Sequence, residues 1–191
     1  GEFDRQWAEQ ALLQGIKKEA LSEEQVAQEI VRSVCPGGWL RDLLTLGQLG
    51  FIHKDALFVH GGLVGGPWEG SNDGVDCFGY VPGRTERLTG AKEWITALNE
   101  WKQAQLAEWL EQPLWIEPEG LKGPNNPPTR AASAIIDYVC PGCVPSVVMG
   151  RQLSGKGMPQ ALPTKVVARL NRSGIHKLFV GHTPHGNAPT L

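Results

Sequence analysis

No run of apolar residues in this chain approaches the roughly 20 needed to cross a bilayer as a helix. An excess of positive charge is missing too. Eighteen Lys and Arg stand against 20 Asp and Glu, a formal net charge of −2, so the chain lacks the basic footprint of a nucleic-acid binder. Cysteine is scarce, with four in 191 residues, and the pattern does not form the disulfide framework of a small secreted domain. The opening Gly1-Glu2-Phe3-Asp4-Arg5 lacks the basic and apolar regions of a signal peptide and lacks an initiator Met. The expectation is a processed or partial chain from which a targeting segment can be missing. The composition, 41% hydrophobic and 20% charged, shows no bias toward disorder and fits one domain or part of a larger one.

What is present is glycine (24), proline (14) and tryptophan (7). Glycine and proline cluster between periodic segments, which predicts a loop-rich α/β domain. The first thirty or so residues read as helix, forming a helical lead-in over 1–36. A second helix starts at Ser22, because Ser22-Glu23-Glu24-Gln25 has the capping-box form. Its apolar face is Val26, Ile30 and Val34, and Pro36-Gly37-Gly38 stops it. Leu57-Phe58-Val59 reads as a buried strand, and 64–90 as loop. Thr89 is the expected cap of a helix with a buried stripe of Trp94, Leu98, Trp101, Gln105 and Trp109, ended by Pro113. Beyond a loop at 117–130, a short helix is expected at Ser133–Tyr138. A strand Ser146-Val147-Val148-Met149 should deliver Gly150-Arg151. Thr164 is the expected cap of a helix through Leu170 that should stop at Gly174, and a strand is expected at Lys177–Val180. Cys140-Pro141-Gly142-Cys143 can be half of a zinc site, a redox pair or a turn. The turn is favoured because Cys35 also precedes Pro-Gly.

Two segments share one construction. Leu57-Phe58-Val59-His60-Gly61-Gly62 and Leu178-Phe179-Val180-Gly181-His182 each release a histidine beside glycine at the carboxyl end of an apolar strand. Ligands bind beyond such strand ends in α/β sheets. Two neutral imidazoles converging from neighbouring strands can hold a divalent transition metal. A hydrogen-bonded loop role for each histidine is the alternative.

Phe58-Val59-His60-Gly61-Gly62-Leu63 resembles the VHGGL segment of calcineurin-like metallophosphatases, including their bacterial, algal and phosphoprotein phosphatase-like branches. Val180-Gly181-His182-Thr183-Pro184-His185-Gly186 resembles their GHTP segment, and the two occur in the family's order. The resemblance spans about Gly37 to Leu191, and Gly37-Gly38-Trp39-Leu40 is similar to the algal-type branch. It implies the C-terminal half of a four-layer α/β/β/α sandwich that hydrolyses phosphoesters with a divalent metal pair (Mn, Fe or Zn). It makes His60 and His182 ligands of the second metal and Arg151 the phosphate-binding arginine, with a surface ion pair as the other reading of Arg151. His185 stands three places beyond His182 where some branches have two, so it faces substrate or braces the loop. A plastid location is compatible with the algal-type branch.

The family's Asp-x-His, Gly-Asp-x-x-Asp-Arg and Gly-Asn-His-Glu motifs do not occur in these residues. Asp73 and Asp76, in a Gly-rich loop, do not replace them. Two expectations therefore stand together. One is a metallophosphatase acting on a phosphorylated substrate, with the missing ligands supplied from elsewhere. The other is a non-catalytic pseudoenzyme that serves as a structural or interaction subunit among other protein subunits.

Overall fold

The computed structural model describes residues 1–64, 76–119, 128–153 and 158–182. They fall into two compact units, Gly1–Gly47 and Gln48–Leu191.

The first unit is helical: α1 (Glu2–Gln14), a single 3-10 turn (Lys18–Ala20), α2 (Glu23–Val34) and α3 (Trp39–Leu46). Gly15 ends α1 in the left-handed region at φ 66°, with its N–H and that of Ile16 donating to the Leu12 and Ala11 carbonyls. The expected capping box opens α2. Ser22 Oγ accepts from the Gln25 N–H at 3.2 Å, and Gln25 Oε1 accepts from the Ser22 N–H at 2.8 Å. Ala11, Leu21 and Val26 are buried together with Trp7 against them, and the Trp7 indole donates to the Lys18 carbonyl. Ile30, expected on that buried face, is exposed.

The second unit combines helices with a small mixed sheet: β1 (Gly50–His53), β2 (Ala56–Val59), α4 (Ala91–Glu111), α5 (Ser133–Val139), α6 (Thr164–Arg172) and β3 (Lys177–Phe179). Strand order is β1-β2-β3. The first pair is antiparallel, with His53 opposite Ala56, and the second parallel, with Phe58 opposite Phe179. The two-residue turn between β1 and β2 puts Lys54 at φ 54°. That conformation costs an L-residue about 1–2 kcal/mol and glycine almost none. Lys54→Gly is therefore expected to raise unfolding stability by about 0.5–1 kcal/mol, read as a shift of the urea midpoint at constant slope.

One face of the sheet is packed. Leu57, Val59, Ile52 and Leu178 meet Trp94, Ile95 and Leu98 of α4 in a core that also takes Phe78, Val147, Val166 and Ile175. The opposite face carries Phe51, Phe58 and Phe179, which remain 51%, 39% and 50% exposed.

Several local expectations are corrected. Thr89 does not cap α4, and Thr164 is the first residue of α6, whose cap position is Pro163. Helix α4 follows Gly90, and the unpaired N–H of Ala91 is taken by Ser173 Oγ from beyond α6 at 3.0 Å. The buried residues of α4 are Ala91, Trp94, Ile95, Ala97, Leu98, Lys102 and Leu106, and Gln105 is only partly buried. Their spacing follows the 3.6-residue period, so Trp101 and Trp109 stand beside them, only partly buried. Burial holds the Lys102 ammonium below its usual pKa. Residues 146–149 are not a strand. Ser146 Oγ accepts from the N–H groups of Val148 (3.1 Å) and Met149 (3.3 Å), the Ser146 carbonyl accepts from Gly150, and the Tyr138 hydroxyl accepts from Val147. The serine thus captures the amides that a ladder would need. Among the described residues no helix is long and apolar enough to cross a membrane.

Candidate functional site

The site grows from the parallel pair β2 and β3. Past the last paired residues the ladder gains one more bond, from the Gly181 N–H to the His60 carbonyl at 2.9 Å. That bond keeps the two chains level where each releases its histidine. The rings of His60 and His182 lie 5.1 Å apart, centre to centre, at 63°. His182 has φ 62°, a left-handed conformation costly for a residue with a Cβ and more frequent in histidine than in most side chains. Its Nε2 is closed off from solvent and has no hydrogen-bond partner among the described residues. A buried donor or acceptor in that condition costs about 1–3 kcal/mol unless something engages it. Burial, then His60, then the positive charge of Arg151 hold the His182 pKa below the ordinary imidazole value.

Arg151 follows the turn at 146–150, and its backbone lies against Gly62. Gly61 and Gly62 are buried, and the turn 146–150 lies directly on them. The Gly61 N–H donates to the Val147 carbonyl at 2.6 Å, and the Arg151 N–H to the Val64 carbonyl at 2.7 Å. A Cβ on Gly61 would stand 2.5 Å from the Val148 carbonyl oxygen, and one on Gly150 2.2 Å from that of Gly62. Close backbone approach, which only glycine permits, is what seats Arg151 next to the histidine pair.

His60, His182 and Arg151 therefore come together from separate parts of the sequence. His185 and Asp73 lie outside the described residues. Asp76 is described and is committed elsewhere. One oxygen accepts from the Phe78 N–H at 2.8 Å, and the other pairs with Arg169 of α6 at 2.8 Å. Tyr138, which was not expected at the site, and Gly150, expected only as the end of a strand, shape the turn that carries Arg151. No local signal marks them, because their roles depend on contacts made across the chain.

The donor set fits one transition metal in part. Two imidazoles, one with an orphaned nitrogen, are suitable ligands, and such ions take four or more. Among the described residues no group of three or more His, Cys, Asp or Glu side chains is placed to hold a metal ion.

Cys140-Pro141-Gly142-Cys143 is a turn, closed by the Cys143 N–H on the Cys140 carbonyl at 3.4 Å with Gly142 at φ 78°. Cys35-Pro36-Gly37-Gly38 repeats it, with Gly38 donating to Cys35 at 2.8 Å and Gly37 at φ 80°.

No protein-family model, no curated protein and no solved structure gives a significant match to this chain.

Proposed function

We propose that this chain is part of a metal-dependent phosphoester hydrolase, contributing His60 and His182 as ligands and Arg151 as the phosphate clamp. The observation that carries the reading is the pairing of two imidazoles at the ends of parallel strands, one with a desolvated Nε2 that has no partner among the described residues. A divalent ion bound there would supply Lewis-acid polarisation of a phosphoryl oxygen and acidify its own water. The chain's own groups do the rest. His60 and His182 present their ring nitrogens, His182 being held toward the neutral form by burial, and the left-handed backbone at His182 fixes its direction. The Arg151 guanidinium offers paired N–H donors suited to phosphate oxygens. The remaining ligands, carboxylates above all, would come from outside the residues described. On this reading the sheet is half of a four-layer sandwich. The exposed Phe51, Phe58 and Phe179 support that architecture, since an apolar sheet face is stable when another layer covers it.

The test is metal content and phosphomonoester hydrolysis of the protein purified from its natural source, against the His60→Ala/His182→Ala double variant. At least a tenfold loss of Mn, Fe or Zn affinity is expected, with hydrolysis falling in parallel. Unchanged metal content and unchanged hydrolysis would remove the proposal. The pH dependence has a definite sign. His182 titrates below the ordinary value of about 6.5, so the metal-binding neutral form persists as pH falls under that value. In the window from the ordinary value down to the depressed one, the unfolded chain binds more protons, so the fold loses stability as pH falls. Above the window this histidine adds no pH dependence, and His182→Gln should flatten the slope within it.

The same aromatic face favours a second reading, a non-catalytic subunit that docks its sheet on another protein. Phe58 and Phe179 stack at 4.6 Å and 7°, with Phe51 6.3 Å from Phe58, forming a continuous apolar ridge. Retained metal binding without hydrolysis in the complete native protein would select that reading.

A further inference from the structure

We infer that Cys140 and Cys143 form a dithiol site that exchanges with low-molecular-weight disulfides and closes into an internal disulfide. The first observation is geometric. Pro141 and Gly142 occupy the two central positions of a turn whose ends are joined by the Cys143 N–H to Cys140 carbonyl bond of 3.4 Å, and Gly142 takes the positive φ of 78° that such a turn needs. Ends of a β-turn lie within about 7 Å at Cα, and disulfides span about 4.4–6.8 Å. The second is access. Cys143 is exposed and Cys140 partly so, and both are free thiols.

The chemistry balances with a small disulfide as oxidant. The Cys143 thiolate attacks one sulfur of RSSR, forming a mixed disulfide and expelling one thiolate. Cys140, deprotonated, then attacks the Cys143 sulfur, forming the internal bond and expelling the second thiolate. Each expelled thiolate takes up a proton lost by a cysteine, so one protein dithiol and one RSSR give one protein disulfide and two RSH. The second step is intramolecular, at an effective concentration on the order of mM or more, while rival protein thiols are micromolar.

The molecule contains its own control. Cys35-Pro36-Gly37-Gly38 has the same turn and an exposed thiol, with glycine in place of the second cysteine. The disulfide would tether the turn that joins α5 to the 146–151 segment. The site does not depend on the phosphatase reading, since no metal or phosphate enters the exchange.

The experiment treats the reduced full chain with oxidised glutathione and maps the products by peptide mass. The expected result is an internal Cys140–Cys143 disulfide, with the glutathione adduct accumulating only on Cys35. Cys140→Ser should trap the adduct on Cys143, at least tenfold above its level in the parent chain. A trivalent arsenical, phenylarsine oxide, should bind the parent one to one and protect both thiols, and Cys140→Ser should abolish that binding. Adducts accumulating equally on Cys35, Cys140 and Cys143, with no internal disulfide, would overturn the inference. So would arsenical binding that survives Cys140→Ser.

Discussion

Trp94→Ala is expected to destabilise the second unit by about 3–5 kcal/mol, a large part of the roughly 5–15 kcal/mol that holds a domain together. Trp94 is fully buried and lies where α4 meets the sheet core, its ring 4.9 Å from that of Phe78. Its indole N–H donates to the Tyr80 carbonyl at 2.9 Å, so truncation leaves an unpaired carbonyl as well as a cavity. Trp94→Phe keeps most of the volume and loses the hydrogen bond, so about 1–2 kcal/mol is expected. Urea unfolding followed by circular dichroism measures both. Equal midpoints for the alanine variant and the parent would show that the core does not depend on this ring.

Gly150→Ala is expected to cost about 2–3 kcal/mol, toward the upper end for an overpacked site. The added methyl would stand 2.2 Å from the Gly62 carbonyl oxygen and within 3 Å of the Gly62 carbonyl carbon and nitrogen. All three are backbone atoms, so no side chain can swing away and the two segments must separate. Gly174→Ala supplies the contrast. Gly174 has open space around its Cβ position and φ 73°, so only the left-handed backbone resists, at about 1 kcal/mol. The Gly150 change also reaches the histidine pair. Moving Arg151 away and admitting water both favour protonated imidazole, so the His182 pKa should rise toward its ordinary value, as read by NMR titration. A destabilised variant with an unmoved His182 titration would separate the packing of this turn from the electrostatics of the site.

Much of the local structure was legible in the residues. The Ser22–Gln25 capping box, the breaks at Pro36-Gly37 and Gly174, the strands through Leu57–Val59 and Lys177–Phe179, and the Cys-Pro-Gly turns rest on interactions between near neighbours. The two histidines at strand ends were equally legible as candidates, because a buried strand and its glycine-marked end are written in consecutive residues. Other features needed distant partners. Thr89 looked like a cap, and Ser173, 82 residues away from Ala91, does that work. Val147-Val148-Met149 looked like a strand, until the Ser146 hydroxyl and the Tyr138 hydroxyl are seen to take its amides. Asp76 read as loop and is a buried tie between Phe78 and Arg169. The sequence by itself thus placed β2, β3 and the Cys-Pro-Gly turns, and marked which residues could carry chemistry, but it did not foresee β1. Only the tertiary structure decided that β2 and β3 lie parallel, that His60 and His182 meet at 5.1 Å, and that Arg151 is seated beside them by glycine-to-glycine backbone contact. The physical reason is range: caps and turns are settled within a few residues, whereas a strand's neighbour and a side chain's partner depend on which distant surfaces the core brings together.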